Sequence, residues 1–338
     1  MVRTIHDLAT PALLIECSAL EHNLDAMTRA LPGARLRPHV KAHKCSALAR
    51  LQRARGHPGL TCATIRELEG LAAAGLAEDL LLANEIVDTR QTARLGRLIE
   101  QGARVTLAVD SEETIRAAAE GGVCEVLVDV NVGLPRCGCS PGDAGGLADR
   151  ARSAGLSVRG VMGYEGHAVG VDDRAKREAL CAESMRLLSA AHAEVGGDVV
   201  SAGGTGTFDC NDVATEIQAG SYVLMDTAYG KLELGFRQAL FVLSTVVSVS
   251  ESYAVADCGL KSLGMDHGNP TIEGASIWFC SDEHTTFAPE PSPRPLRPGD
   301  RVRVLPAHVD PTVAYHPALH VVDGEKLIER YEVDLRGW

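Results

Sequence analysis

Lys41 closes an apolar run inside the segment Arg37-Pro38-His39-Val40-Lys41-Ala42-His43-Lys44. Partial burial of such a lysine favours the uncharged amine, the form that condenses with an aldehyde. Far along the chain, His308 and Asp310 stand two residues apart in Pro306-Ala307-His308-Val309-Asp310-Pro311. In an extended segment, residues two apart face one side, so this pair would offer one nitrogen and one oxygen to a divalent ion. Together the two motifs suggest Schiff-base chemistry with a metal helper.

Those side chains need a scaffold, and the chain is long enough to build one. Its 338 residues can bury a large core, as one barrel with a smaller domain or as two ordinary domains. A net charge of -12 with no clustered Lys and Arg argues against nucleic acid or an anionic membrane as partner. Residues Met1 to Leu20 lack the basic start and apolar run of a secretory signal, and no apolar segment is long enough to span a bilayer. A cytoplasmic protein with reduced thiols is therefore expected from the ten scattered cysteines. Cys137 and Cys139 flank Gly138, but one such spacing without a second pair is a poor metal signal.

The apolar pattern alternates between two periods. Strand-like runs fall at Leu36–Lys41, Leu60–Thr64, Leu80–Ala83, Val105–Val109, Val126–Val130, Val158–Met162 and Val199–Ala202. Stretches with helical spacing separate them, at Cys45–Arg55, Ile65–Ala74, Asp88–Gln101, Glu112–Glu120, Pro141–Ser153 and Arg174–Ala193, with Ser111 as an N-cap. An eighth strand is expected within Ala214–Met225, at Thr215–Gln218 or at Ser221–Met225. Such a series predicts an α/β fold, a closed (β/α)₈ TIM barrel over residues 18–238.

After Ala239 the runs read as strands with no convincing helix among them: Phe241–Ser250, Tyr253–Ala256, Ser276–Cys280, Arg301–Leu305, Leu319–Val322 and Lys326–Val333. An all-β domain over residues 239–338 follows, joined by an N-terminal strand from residues 1–17 and carrying the metal pair. The proline-rich stretch Pro289 to Pro298 reads as a stiff connecting loop.

Barrel enzymes gather their chemistry at the carboxyl ends of the strands. Lys41, Asn84, Asn131 with Arg136, Tyr164 with His167, and Gly203-Gly204-Thr205-Gly206-Thr207 all fall at such ends. The glycine-rich turn after the seventh strand, with Gly220-Ser221 near the eighth, supplies backbone N–H groups where barrels commonly hold a phosphate. A phosphorylated cofactor would suit that place.

These segments resemble the fold-type III pyridoxal-phosphate enzymes, the alanine racemase-like barrels, and among them the D-threonine aldolase and D-serine dehydratase family. The segment from Arg37 to Lys44 is similar to that family's cofactor-lysine motif, in which the first lysine, here Lys41, takes the cofactor. Asp129-Val130-Asn131-Val132-Gly133-Leu134-Pro135-Arg136 resembles the segment whose arginine binds the cofactor phenolate. Gly204, Thr205 and Gly206 resemble the phosphate loop, and Gly220 with Ser221 the second phosphate contact. Gln218 falls near the position at which alanine racemases place an arginine on the pyridine nitrogen, although Glu216 competes for that role. His308 and Asp310 complete the likeness as metal ligands.

The resemblance implies pyridoxal 5'-phosphate and a divalent metal as cofactors, Mn²⁺ or Mg²⁺ suiting the donors and Zn²⁺ or Co²⁺ also fitting. Dehydratase-like members often carry cysteine two residues after the histidine, so Asp310 favours an aldolase. The implied reaction is retro-aldol cleavage of a D-3-hydroxy amino acid, such as D-threonine, to glycine and an aldehyde. His167, directly or through water, is the candidate base, and Tyr164 positions the cofactor or the substrate carboxylate. Two alternatives stand beside this one: a D-serine or D-3-hydroxyaspartate-type dehydratase giving a keto acid and ammonia, and a non-catalytic pyridoxal-phosphate-binding protein. A homodimer is expected by resemblance alone.

Overall fold

The computed structural model describes residues 4–338. Residues 1–3, part of the segment 1–17 expected to lead into the β domain, lie outside the described residues. The chain forms two compact units. One gathers Met27–Lys41, Leu48–Gly220 and Leu335–Trp338; the other gathers the described residues of Met1–Ala26 with Ala42–Ala47 and Ser221–Asp334.

In chain order the elements begin with strand β1 (Ala12–Glu16), helix α1 (Cys17–Ala30) and helix α2 (Ser46–Ala54). Then come β2 (Leu60–Cys62), α3 (Ile65–Ala73), β3 (Leu80–Leu82), α4 (Thr89–Glu100), β4 (Val105–Val109), α5 (Glu112–Glu120), β5 (Glu125–Asp129), α6 (Ala144–Ser153), β6 (Ser157–Gly163), α7 (Arg174–Val195), β7 (Val199–Ala202) and β8 (Glu216–Ile217). The remaining elements are α8 (Thr227–Gly230), β9 (Leu240–Val249), β10 (Ala254–Ala256), β11 (Thr271–Ile272), β12 (Ala275–Cys280), β13 (Thr285–Pro289), β14 (Arg301–Leu305), α9 (Val309–Tyr315), β15 (Ala318–Asp323) and β16 (Lys326–Glu332).

In the first unit, β2 to β8 form a seven-stranded parallel sheet in sequence order. Its strands are short apolar runs because both faces are covered. Leu60, Leu82, Val105 and Leu107 pack with the helix residues Leu68, Leu71 and Leu95 in one cluster, whereas Leu81, Ala108, Leu127 and Met162 form another from the alternate positions. Helix starts follow from local chemistry. Ser111 accepts from Thr114 N, as expected, and Thr64 forms a reciprocal box with Glu67.

The expected first barrel strand, Leu36–Lys41, is corrected by the structure. The stretch makes only isolated parallel bridges, Leu36 to Ile217 on one side and His39 to Thr61 on the other, and Val40–Ala42 coils into a 3₁₀ turn. Pro38 is the physical reason: it has no N–H to extend a ladder, although its carbonyl accepts from Thr61 N at 2.9 Å. With Arg37 N and His39 N donating to Ile217 and Ala219, residues 36–39 still link β8 to β2. The eighth strand is the Thr215–Gln218 alternative; Ser221–Val223 is a 3₁₀ turn.

In the second unit, nine strands share one sheet, whose main path runs β12-β13-β10-β9-β1-β15-β16. The N-terminal strand does join it, β1 lying antiparallel to β9 and parallel to β15. Ile5, Ala12, Leu14, Phe241, Leu243 and Val322 make its core cluster. The expectation of strands alone is corrected here by helix α9. His308 is its N-cap, and Pro311 lies in the first turn, where a missing N–H costs nothing. Helix α1 is a further departure from the expected elements; its Leu20, Leu24 and Met27 repeat at helical spacing and are buried. Strands β11 and β13 were missed as well.

Candidate functional site

In the barrel unit the motif residues stand where strands end. Lys41 lies in the 3₁₀ turn just past the bridged residues 36–39. Asn131 follows β5 and accepts from Gly133 N at 3.0 Å through Oδ1, while Asn131 N and Cys139 N bond across the loop, to Cys139 O and Asp129 O. That closure presents Arg136, whose guanidinium carbon lies 5.4 Å from the Tyr164 ring centroid. Tyr164 follows β6, and a Cβ added to Gly204 would come within 3.3 Å of its ring. Tyr164 therefore stands between Arg136 and the glycine loop. His167 sits against Gly133, and its Nδ1 is buried with no hydrogen-bond partner among the described residues.

The glycine loop has close walls. A Cβ on Gly206 would strike the backbone carbonyl of Val169, and Gly203 adopts φ +83, so glycine is required at both positions. One carboxyl group organises the loop. Glu165, fully buried, accepts from Gly203 N at 3.2 Å, Thr207 Oγ1 at 2.7 Å and Asn211 Nδ2 at 3.4 Å. It was passed over in the sequence although it stands between two glycines in Gly163-Tyr164-Glu165-Gly166-His167, a place where a buried carboxylate needs a purpose.

Gln218 donates to Ser201 Oγ at 2.9 Å on the neighbouring strand. Glu216 belongs elsewhere, at the strand starts, where it pairs with Arg37 at 2.8 Å while Asp79 pairs with Arg37 at 2.7 Å and Arg159 at 3.1 Å. It cannot serve the opposite strand ends as well, which removes it as a rival to Gln218. A second unexpected group lies beside Arg136. Burial pushes the Asp129 carboxyl well above the usual range, helped by a hydrogen bond with Glu85 and by Asp110, while Arg136 opposes them. Burial and Glu85 raise the Cys137 thiol to about 11, and burial with Asp129 raises Cys139 to about 12. These thiols stay protonated near neutrality. No disulfide joins any of the ten cysteines.

In the β-rich unit, His308 Nε2 lies 3.7 Å from Asp310 Oδ2. Two ligands of one ion at ~2.1 Å are separated by roughly 3.0 Å when cis and 4.2 Å when trans, so the pair can share an ion. The geometry is that of an N-cap and a first helical turn, not of the extended segment expected. Ser221, expected as a phosphate contact, donates to Asp310 Oδ2 at 3.5 Å. Asp226, buried, holds two helix starts, accepting from Tyr229 N and Val309 N, both at 2.9 Å. Burial pushes its carboxyl up, and those N–H groups oppose the shift. Asp266 and His267, missed in the sequence, join His308 in a cluster of donor atoms.

The donor sets fit both expected cofactors. A walled glycine loop, an arginine beside an aromatic ring, a lysine in the turn past residues 36–39 and a buried imidazole nitrogen without a partner suit a phosphorylated aromatic aldehyde. One imidazole and one carboxylate suit a divalent ion.

Comparison with known proteins agrees with this architecture. Residues 15–228 match the family profile of the alanine racemase N-terminal domain, and residues 239–322 match that of a serine dehydratase domain. The chain is 35% identical to a D-threonine aldolase of an Arthrobacter species over 97% of its own length and 93% of the relative's. It is 33% identical to a 3-hydroxy-D-aspartate aldolase of Paracoccus denitrificans, over 98% and 93%. The solved D-threonine aldolase of Filomicrobium marinum superposes with a TM-score of 0.94 at 32% identity, covering 100% of this chain and 98% of that one. The D-threo-3-hydroxyaspartate dehydratase of Delftia sp. HT23 gives 0.84 at 26%, covering 99% and 100%. A parallel barrel and a mostly β unit, with these likenesses, define a fold-type III pyridoxal-phosphate enzyme of the alanine racemase-like class. Within that class the chain belongs to the D-threonine aldolase and D-serine dehydratase family.

Proposed function

We infer that this protein is a carbon–carbon lyase that cleaves a D-3-hydroxy amino acid to glycine and an aldehyde, with pyridoxal phosphate and a divalent metal as cofactors. The observation that carries the reading is full-length similarity to two aldolases above 30% identity, joined to a carboxylate, Asp310, beside His308. The cofactor, when bound, supplies the electron sink into which the Cα–Cβ bond discharges.

The chain's own residues do the rest. Lys41 would provide the amine that holds the cofactor aldehyde, and Arg136, beside the Tyr164 ring, would donate to its phenolate oxygen. Gly204, Thr205 and Gly206, with Gly220 and Ser221, would offer the phosphate their N–H groups, and Thr205 its hydroxyl. Gln218 would face the pyridine nitrogen as a neutral amide, and Tyr164 would orient the substrate carboxylate. His308 and Asp310 hold the ion that orients the β-hydroxyl. His167 would accept the hydroxyl proton as the carbonyl forms at Cβ and the carbon–carbon bond breaks, and a proton delivered to Cα completes glycine. Manganese or magnesium fits the hard oxygen donor best. The reading includes a homodimer in the cytoplasm; no described helix is long and apolar enough to cross a membrane.

The test is product analysis with pyridoxal phosphate, D-threonine and Mn²⁺, repeated with a chelator. Metal-dependent acetaldehyde and glycine are expected. A keto acid with ammonia would make the protein a dehydratase, as the Delftia relative is named. Borohydride trapping followed by peptide mapping should place the cofactor on Lys41, and Lys41→Ala should abolish both adduct and turnover.

A further inference from the structure

His308 is fixed more completely than a bare ligand pair requires. Its backbone is pinned from several sides: Val309 N donates to Asp226, Thr312 Oγ1 donates to the His308 carbonyl at 2.7 Å, and Gly264 N donates to Thr312 Oγ1 at 2.8 Å. None of these bonds sets the rotation of the imidazole about its own axis, a torsion with broad, shallow wells. Asp266 does. Its two carboxylate oxygens lie 2.9 and 2.8 Å from His308 Nδ1, while Nε2, on the far side of the ring, lies 3.7 Å from Asp310. The next residue, His267, stacks flat on the same imidazole, with centroids 3.8 Å apart and planes 10° from parallel.

We propose that Asp266 is the positioning carboxylate of the metal centre, holding the Nδ1–H of His308 so that the Nε2 lone pair is presented beside Asp310, with His267 covering one face of the ring. The inference rests on the reading of His308 and Asp310 as ligands. A carboxylate on the far nitrogen of a ligating histidine fixes its tautomer and orientation and raises its basicity. Asp266 is well suited to that work and to little else. Its side chain is 58% exposed, so it contributes little to core packing, and its hydrogen bond reaches across 42 residues of sequence to the ligand.

The test titrates the metal-free protein with Mn²⁺ and follows the free ion by electron paramagnetic resonance, in the parent, Asp266→Ala, Asp266→Asn and His308→Ala. Asp266→Ala should weaken Mn²⁺ affinity by ~10–100-fold. Asp266→Asn, whose amide oxygen still accepts from Nδ1–H, should restore part of that loss. The melting temperature of the metal-free protein should be the same in all three Asp266 forms, and only its rise on adding Mn²⁺ should shrink in Asp266→Ala. Unchanged affinity in Asp266→Ala, with binding abolished in His308→Ala, overturns this inference and leaves the ligand pair standing. No Mn²⁺ binding by the parent overturns both. Two ions per chain, falling to one in Asp266→Ala, would make Asp266 a direct ligand of a second site and also overturn it. Equal losses in the Ala and Asn variants, with a lowered metal-free melting temperature, would reduce Asp266 to a structural residue.

Discussion

Replacing Glu165 by glutamine separates a loop-organising role from simple packing. The carboxyl group divides its work: Oε1 accepts from Thr207 Oγ1 and Asn211 Nδ2, and Oε2 accepts from Gly203 N. A glutamine placed with its carbonyl at the Oε1 position keeps the first two bonds. It then turns an NH₂ donor toward the N–H of Gly203, which loses its acceptor. One orphaned buried donor costs ~1–3 kcal/mol. The flipped amide orphans more groups, so the lower figure belongs to the first orientation. If the native loop is what receives the cofactor phosphate, the same free energy is charged against binding. At about 1.4 kcal/mol per decade, pyridoxal-phosphate affinity should fall roughly 5- to 150-fold. Urea unfolding of the metal-free, cofactor-free protein gives the stability loss, and absorbance titration with the cofactor gives the affinity loss. A stability loss of this size with unchanged cofactor affinity would refute the assignment of residues 203–207 as the phosphate cradle. No loss in either would refute the hydrogen-bond reasoning itself.

Other consequences can be measured on the same preparations. Gly206→Ala puts a methyl against the Val169 carbonyl; the backbone must shift, and cofactor affinity should drop by at least ~10-fold, about 1.4 kcal/mol, in the same titration. Asp226→Ala leaves Tyr229 N and Val309 N without their acceptor, so urea melts should show a loss of ~1–3 kcal/mol, with weaker Mn²⁺ binding because the start of α9 carries Asp310. For Asp79, burial pushes the pKa up, but Arg37 and then Arg159 outweigh it and hold the carboxyl below its usual range. Its stabilisation is therefore present above the unfolded value of ~3.9 and lost as pH falls through the folded one. Asp79→Asn should cost ~1.5–3 kcal/mol at pH 7, because Arg37 loses one charged partner but keeps Glu216, and the gap to the parent in urea melts should narrow below about pH 4. Asp129 has the opposite sign. Raised by burial and Glu85, its contribution is complete below the unfolded value of ~3.9 and lost as pH rises through the folded one, so Asp129→Asn should remove that fall in stability as pH rises above the unfolded value.

What could be read from residue order alone was what rests on local chemistry. Val105–Val109 and Val199–Ala202 form the strands expected of them, and Glu112–Glu120 forms its helix, because uninterrupted apolar runs and a Ser111 cap report their own surroundings. Cofactor and fold class were legible from motifs whose spacing reflects one strand end after another. Tertiary structure decided the rest. Pro38 reads as part of an apolar run, yet its missing N–H matters only once β2 lies alongside. The His308-x-Asp310 spacing suits an extended segment equally well; the buried Asp226 carboxyl, capping Val309 N, makes it a helix start. Glu165 is an unremarked acid until Gly203, Thr207 and Asn211 fold around it. Asp266 gains meaning only when the chain brings it 2.8 Å from His308, because hydrogen bonds act over ångströms while sequence records only distance along the chain.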